Sequence, residues 1–104
     1  MARVNRYVLP RLDQPLPIKQ LAAALGESES HLRAKFRRAS GGSLGRHLRQ
    51  LRLQKACQLL HTTGLNITEV AERCGFDSVY SFSRTFKTGC GVSPRAYRGS
   101  IEGG

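Results

Sequence analysis

Apolar runs are short in this sequence: no stretch approaches the ~18 consecutive apolar residues that a membrane-spanning helix needs. The opening segment, MARVNRYVLP, also lacks the apolar core and the small-residue cleavage site of a secretory signal. A membrane protein and an exported one are therefore not expected, and the cytoplasm is. Cysteine is scarce and unpatterned. Cys57, Cys74 and Cys90 lie 17 and 16 residues apart with no CxxC pair, which argues against a disulfide framework and a zinc site alike. No metal and no cofactor are expected. The period-two alternation of strands is absent throughout, which leaves an all-α chain. With 104 residues, 39% of them apolar, it can bury a modest core as one compact domain or two very small ones, and it is too short for a large enzyme.

Acidic residues are also few. Seven Asp and Glu stand against seventeen Lys and Arg, for a formal charge of +10, and thirteen of those cations are Arg. Arginine offers a planar fork of donors suited to phosphate and to guanine, so a polyanionic partner, nucleic acid above all, is the natural inference. Cys57 and His61 fall at i and i+4 of an expected helix and could form a thiolate–imidazole pair, yet no third group and no Gly-rich oxyanion loop accompany them. A lone cysteine is more often a small buried apolar residue.

What the sequence does contain is a repeat. An offset of 49 aligns Ile18, Leu21, Ala22, Leu25 and Gly26 with Ile67, Val70, Ala71, Cys74 and Gly75. An offset of 50 then aligns Ser28, Leu32, Phe36, Arg37, Gly41 and Ser43 with Ser78, Phe82, Phe86, Lys87, Gly91 and Ser93, so the second copy gains one residue at the turn. Each copy reads as a short helix, a tight turn and a second amphipathic helix. Gly26 and Gly75 suit the left-handed position that ends the first helix, and Ser28 and Ser78 suit the N-cap of the second. Ala22 and Ala71 are small where two helices must cross closely.

Between the copies, residues 43–63 predict one long helix. Its leucines, from Leu44 to Leu60, spread around more than half of the circumference, as expected of a connector clamped on two sides, and Gln50, Gln54, Gln58 and His61 are left for solvent. Residues 3–9 predict a short helix carrying Val4, Tyr7 and Val8 that Pro10 ends or bends, and Pro15 and Pro17 hold QPLP extended. After Ser93, PRAYR predicts a final short helix with Pro94 at its first position, and residues 100–104 a frayed tail. The expected organisation is a first helix-turn-helix unit at 1–42, the linker helix at 43–63 and a second unit at 64–99, about seven helices in all.

A helix-turn-helix lays its second helix in the DNA major groove, so that helix needs one face for the core and another for bases and phosphates. In GFDSVYSFSRTFK, residues 75–87, Phe82 and Phe86 share the core face. Tyr80, Arg84 and Lys87 lie on the opposite side, with Ser83 at its edge. The first copy offers Ser30, Ala34 and Arg37, flanked by Arg33 and Arg38. Arg84 and Arg33 can fork to a guanine, Tyr80 and Ser83 can make adaptable polar or thymine-methyl contacts, and Arg37, Arg38 and Lys87, further along, suit phosphates.

Two such units joined by a helix, with GF after the first helix of the second unit and GVSPRAY after its recognition helix, form a specific pattern. It closely resembles the DNA-binding domain of the AraC/XylS family of bacterial transcription regulators. The resemblance covers roughly residues 16–98 and is carried by IKQLAAALGESESHLRAKFRRASG, LRQLRLQKACQLL and ITEVAERCGFDSVYSFSRTFKTGCGVSPRAYR. It implies a sequence-specific regulator, usually an activator, that inserts two recognition helices into successive major grooves. Double-stranded promoter or operator DNA is the expected partner, with RNA polymerase as a further one. Since one chain carries two reading helices on a linker helix that spans roughly 30 Å, near the ~34 Å between successive major grooves, the domain is expected to be monomeric on its site. By resemblance, bases are read at Ser30, Arg33 and Ala34 and at Val79, Tyr80, Ser83 and Arg84. Val79 is the one position that the helix faces alone do not select. The chain departs from the family pattern at Pro10, which interrupts a normally longer first helix, and at Pro17, where a capping Ser or Thr is common. Family members usually add an N-terminal effector or dimerisation domain, which nothing in this chain supplies. Two rival readings stay open at this stage: a packaging protein that binds nucleic acid without sequence preference, and a Cys-dependent alkyl-transfer protein using Cys57 or Cys74.

Overall fold

The structure, a computed structural model, describes the backbone of residues 2–103 and the side chains of residues 2–100. It contains seven α-helices and no strand among the described residues. Contacts divide the chain into two compact units, residues 1–51 and 52–104.

The first unit opens with α1 (Ala2–Val8). Pro10 bends the chain rather than ending its helical course, because a 3-10 turn, Leu9–Arg11, follows directly. There a proline near the first position loses no needed N–H. The Arg11 guanidinium stacks 4.0 Å from the Tyr7 ring centroid and donates to the Tyr7 carbonyl at 2.7 Å, closing this turn on itself. Residues 15–17 then run without helix, and Leu16 among them is buried with Leu12. Helix α2 (Ile18–Ala24) starts after Pro17 with no side-chain cap, the Leu21 N–H donating to the Pro17 carbonyl at 3.1 Å. Helix α3 (Glu29–Ser40) follows. Val4, Val8, Leu21, Leu32 and Phe36 meet Leu44, Leu48 and Leu51 of the next helix in one core. His47 pairs with Asn5 Oδ1 at 2.7 Å and lies 5.0 Å from the Phe36 ring, and its burial there holds the imidazole below its usual range.

That next helix, α4 (Leu44–Thr62), is continuous, as its leucine pattern predicts. Where the sequence sets residues 43–63 apart as a linker, the contacts assign its two halves to different units. Leu44, Leu48 and Leu51 belong to the first core, and Leu53, Ala56 and Leu60 to the second. This explains why apolar residues surround so much of the helix: each half faces a different core.

The second unit continues with α5 (Ile67–Arg73), α6 (Val79–Cys90) and α7 (Pro94–Gly103). Asn66 and Glu69 form a reciprocal capping box on α5. Asn66 Oδ1 accepts the Glu69 N–H at 2.8 Å, and Glu69 Oε1 accepts the Asn66 N–H at 3.0 Å. The core is an aromatic chain in which Phe76, Phe82, Phe86 and Tyr97 follow one another at ring-centroid distances of 5.1, 5.7 and 5.6 Å. Phe82 and Phe86 are fully buried, each worth roughly 1.5–3 kcal/mol of transfer free energy. Phe76, in the turn that the second copy lengthens by one residue, is packed against that core. Helix α7 is longer than the expected PRAYR, and its backbone stays helical to Gly103 where a frayed tail was expected; Gly104 lies outside the described residues.

Candidate nucleic-acid interface

The two candidate recognition helices, α3 and α6, are 12 residues each and are bounded by the same devices. At the front, Ser28 Oγ accepts the His31 N–H at 3.2 Å, and Ser78 Oγ accepts the Ser81 N–H at 3.1 Å. These caps satisfy amide donors that a helix start leaves orphaned. At the back, Gly41 (φ 79°) and Gly91 (φ 83°) take the left-handed conformation that only glycine adopts freely, and each donates to the carbonyl four residues back, of Arg37 and of Lys87, at 2.8 Å. The helices before them end alike. Glu27 and Phe76 donate to the carbonyls of Ala22 and Ala71 at 2.9 and 3.0 Å, while Gly26 and Gly75 turn the chain left-handed. The repeat seen in the sequence is thus a repeat of hydrogen bonds.

With Leu32 and Phe36, or Phe82 and Phe86, buried, the opposite sides of α3 and α6 face out. On α3, Ser30, Arg33, Ala34, Arg37 and Arg38 are all exposed. On α6, Tyr80, Arg84 and Lys87 are exposed, Tyr80 by 79% despite its ring, whereas Val79 and Ser83 are half-buried at the flank. The structure therefore gathers each predicted set on one helix of one unit. Tyr80 is thus the one aromatic of α6 left bare, Phe82 and Phe86 being buried.

The two sets differ in their freedom. Arg33 Nε and Nη2 both donate to Glu29 Oε1, at 3.2 and 3.0 Å, so its fork is occupied by an i,i+4 ion pair. Val79 stands at the position corresponding to Glu29, and Arg84 has no carboxylate partner among the described residues. Glu27, in the turn before α3, is held by Lys35 at 2.7 Å with His31 at 3.6 Å. The Lys35 hydrogen bond keeps the Glu27 carboxyl below its usual range.

Other arginines that composition counts as surface charge are engaged internally. The Arg98 guanidinium donates to the carbonyls of Leu60, Leu65 and Thr63, closing the end of α4 and the turn after it. Arg3 and Arg52 donate to backbone carbonyls of Leu25 and Cys74. Sequence reasoning missed these roles, since their partners lie 22 to 38 residues away. For the cysteine reading, burial pushes the Cys74 thiol up to about 11, which keeps it protonated and a poor nucleophile near neutral pH. Cys57 is half-buried and His61 exposed. No cluster of three His, Cys, Asp or Glu side chains able to hold a metal ion is found among the described residues. No helix among them is long and apolar enough to cross a membrane.

Comparison with known proteins places the chain among relatives. A family described as "Helix-turn-helix domain" matches residues 21–100. The chain is 37% identical over 91 residues to the Right origin-binding protein of Escherichia coli K12, spanning 88% of this chain but 32% of that one. It is 36% identical over 97 residues to the HTH-type transcriptional activator AarP of Providencia stuartii, covering 93% of this chain and 72% of AarP. Among solved structures, the DNA-binding domain of the global transcriptional factor AdpA, in complex with a target DNA, superposes with a TM-score of 0.93 at 31% identity, over 98% of this chain and 92% of that one. The chain thus spans about a third of the length of the longer relatives.

Proposed function

From the premise that this chain belongs to the AraC/XylS family of helix-turn-helix regulators, we propose that it binds double-stranded promoter or operator DNA sequence-specifically and regulates transcription, as an activator. In this reading α3 and α6 each enter a major groove, in successive turns of one duplex. Ser30, Arg33 and Ala34, and Val79, Tyr80, Ser83 and Arg84, meet base edges. Arg37, Arg38 and Lys87 meet phosphates. The chain acts as a monomer on its site, works in the cytoplasm with that DNA, and transmits its effect through RNA polymerase. It performs no catalytic step and uses no cofactor.

One observation carries the reading: two helices of equal length, capped by the same residue types at both ends, bury their apolar sides and turn polar and basic sides outward. Unequal outward residues on equal frames favour sequence reading over packaging. Ser30 and Ala34 on one correspond to Tyr80 and Arg84 on the other, so each frame offers a different set of donors to the bases. Pure charge attraction would need no such difference.

The test is selection of bound sequences from random duplex DNA by the wild-type chain, followed by a titration that measures stoichiometry. A sharp motif in two unlike halves, bound by one chain, is the expected result. Equal affinity for random and selected duplexes would replace this reading with packaging, and a palindromic motif needing two chains would overturn the monomeric mode.

A further inference from the structure

Resting on that reading, we propose that Arg3 and Arg52 are positioning residues for the two recognition helices, each setting the turn in front of its helix without touching DNA. Arg3 Nη2 donates to the Leu25 carbonyl at 2.9 Å, and Arg52 Nη1 donates to the Cys74 carbonyl at 2.9 Å. Both the donors and the acceptors are 49 positions apart, the offset that relates α2 to α5. The repeat therefore begins earlier than the helix-turn-helix itself, at an arginine on the helix that precedes it: α1 in the first unit, the second half of α4 in the second. The residue after each arginine, Val4 or Leu53, is buried in its own unit's core and anchors the helix from which the guanidinium reaches.

The carbonyls so held are significant by position. Leu25 and Cys74 are the C-cap residues of α2 and α5, where unpaired carbonyls gather the negative end of the helix dipole, and a guanidinium there is favourably placed. Directly after them come Gly26 at φ 73° and Gly75 at φ 78°, and within three or four residues the caps Ser28 and Ser78 of the recognition helices. A left-handed glycine is a swivel with few intrinsic restraints. Fixing the carbonyl on its near side fixes the direction in which the next helix leaves. Two copies of the same long-range bond, in units whose cores and first-helix caps differ, point to this use rather than to a chance surface contact.

The experiment uses the full chain and two duplexes of equal length, one carrying the sequence selected by the wild-type chain and one random. Arg52→Met keeps the aliphatic stem and removes the donors. At a temperature where circular dichroism shows native helix content, it is expected to lower affinity for the selected duplex about ten-fold while leaving random-duplex affinity within about two-fold. The slope of log affinity against log salt is expected to stay unchanged. Arg3→Met should act in the same direction and less strongly, since its bond is exposed where that of Arg52 is part-buried. Should Arg52→Met fail to fold, Arg3→Met carries the same test. Equal losses on both duplexes, with a salt slope shallower by about one, would make these arginines phosphate contacts and overturn the proposal. A lower melting temperature with an unchanged ratio of selected to random affinity would make them stabilising residues only, and overturn it too. A wild-type chain without sequence preference would instead refute the DNA-reading premise, and is told apart because it shows before any variant is made.

Discussion

In the unit ending at Leu51, helix α2 starts behind Pro17 with no side-chain cap, whereas in the unit beginning at Arg52 helix α5 starts behind Asn66 with both bonds of a capping box made. The cores differ in the same sense. Phe36 in the first unit has the His47 ring as its aromatic neighbour, while Phe86 in the second stands between Phe82 and Tyr97 in a chain of four rings. The first unit makes up for this with nonlocal burial. Leu12 and Leu16, on the segment before α2, are buried in its core. Volume is also redistributed between corresponding positions: Val4 and Ala39 in the first unit, Leu53 and Gly89 in the second, where a Cβ on Gly89 would stand 2.6 Å from Leu53 Cδ1. Two copies of one plan thus keep the frame of caps and left-handed glycines around their recognition helices and let the means of support drift. The lesson is that the geometry of the reading helix is tightly held, and the source of its stability is negotiable.

The comparison breaks most visibly at the aromatic cores. Phe86→Ala is expected to destabilise the second unit by about 3–5 kcal/mol, and Phe36→Ala the first by about 1 kcal/mol less, the difference being the additional ring pair. Urea denaturation followed by circular dichroism measures both. Equal losses would show that burial alone, and not the aromatic chain, supports α6.

At the outward faces the asymmetry lies in the arginines. Arg84→Ala is expected to cost about 1–3 kcal/mol on the selected duplex and to relax preference at one base position. Arg33→Ala should cost less, because Arg33 must give up its ion pair with Glu29 before it can serve a base. Lys87→Ala should weaken selected and random duplexes alike and reduce the salt slope by about one. Gel-shift titrations at several salt concentrations distinguish the three; a larger loss for Arg33 than for Arg84 would show that the ion pair with Glu29 does not hold Arg33 back.

The smallest expected effect concerns the caps. Asn66→Ala should cost about 1 kcal/mol by leaving the first turn of α5 uncapped. In α2, Pro17→Ser would set a capping hydroxyl three residues before Gln20, the spacing of a capping box, but gives back proline's restriction of the unfolded chain, for a net gain of about half a kcal/mol or less. Differential scanning calorimetry of the two variants would show whether the units converge. A clear loss on Pro17→Ser would mean that the stiff QPLP approach, rather than the cap, starts α2.

Much of this is legible in the sequence. Ser28 and Ser78, and Gly26 and Gly75, announce helix ends because capping and left-handed turns depend on residues within a few positions of one another, whereas the left-handed ends at Gly41 and Gly91 come from the structure. The spacing of Leu32 and Phe36, and of Phe82 and Phe86, marked the buried faces for the same reason. Pro10 was harder to place: its ring forbids an interior helical bond but fits the start of a 3-10 turn, and only the neighbouring packing selects between ending and bending. Leu16 gave no signal, lying between two prolines where no periodicity reaches it.

By itself, then, the sequence determined the all-α repeat, its helix boundaries and the outward placement of the basic side chains, all consequences of short-range stereochemistry and of apolar spacing along a helix. The i,i+4 spacing of Glu29 and Arg33 is also local, but tertiary structure alone decided which other cations remain free for a partner. Arg3, Arg52 and Arg98 look in sequence like Arg84, yet they end on carbonyls 22 or more residues away, while Arg33 is diverted by Glu29 and Arg84 is not. A guanidinium goes to whichever acceptor the folded backbone brings within about 3 Å, and that proximity is a property of packed helices rather than of neighbouring residues.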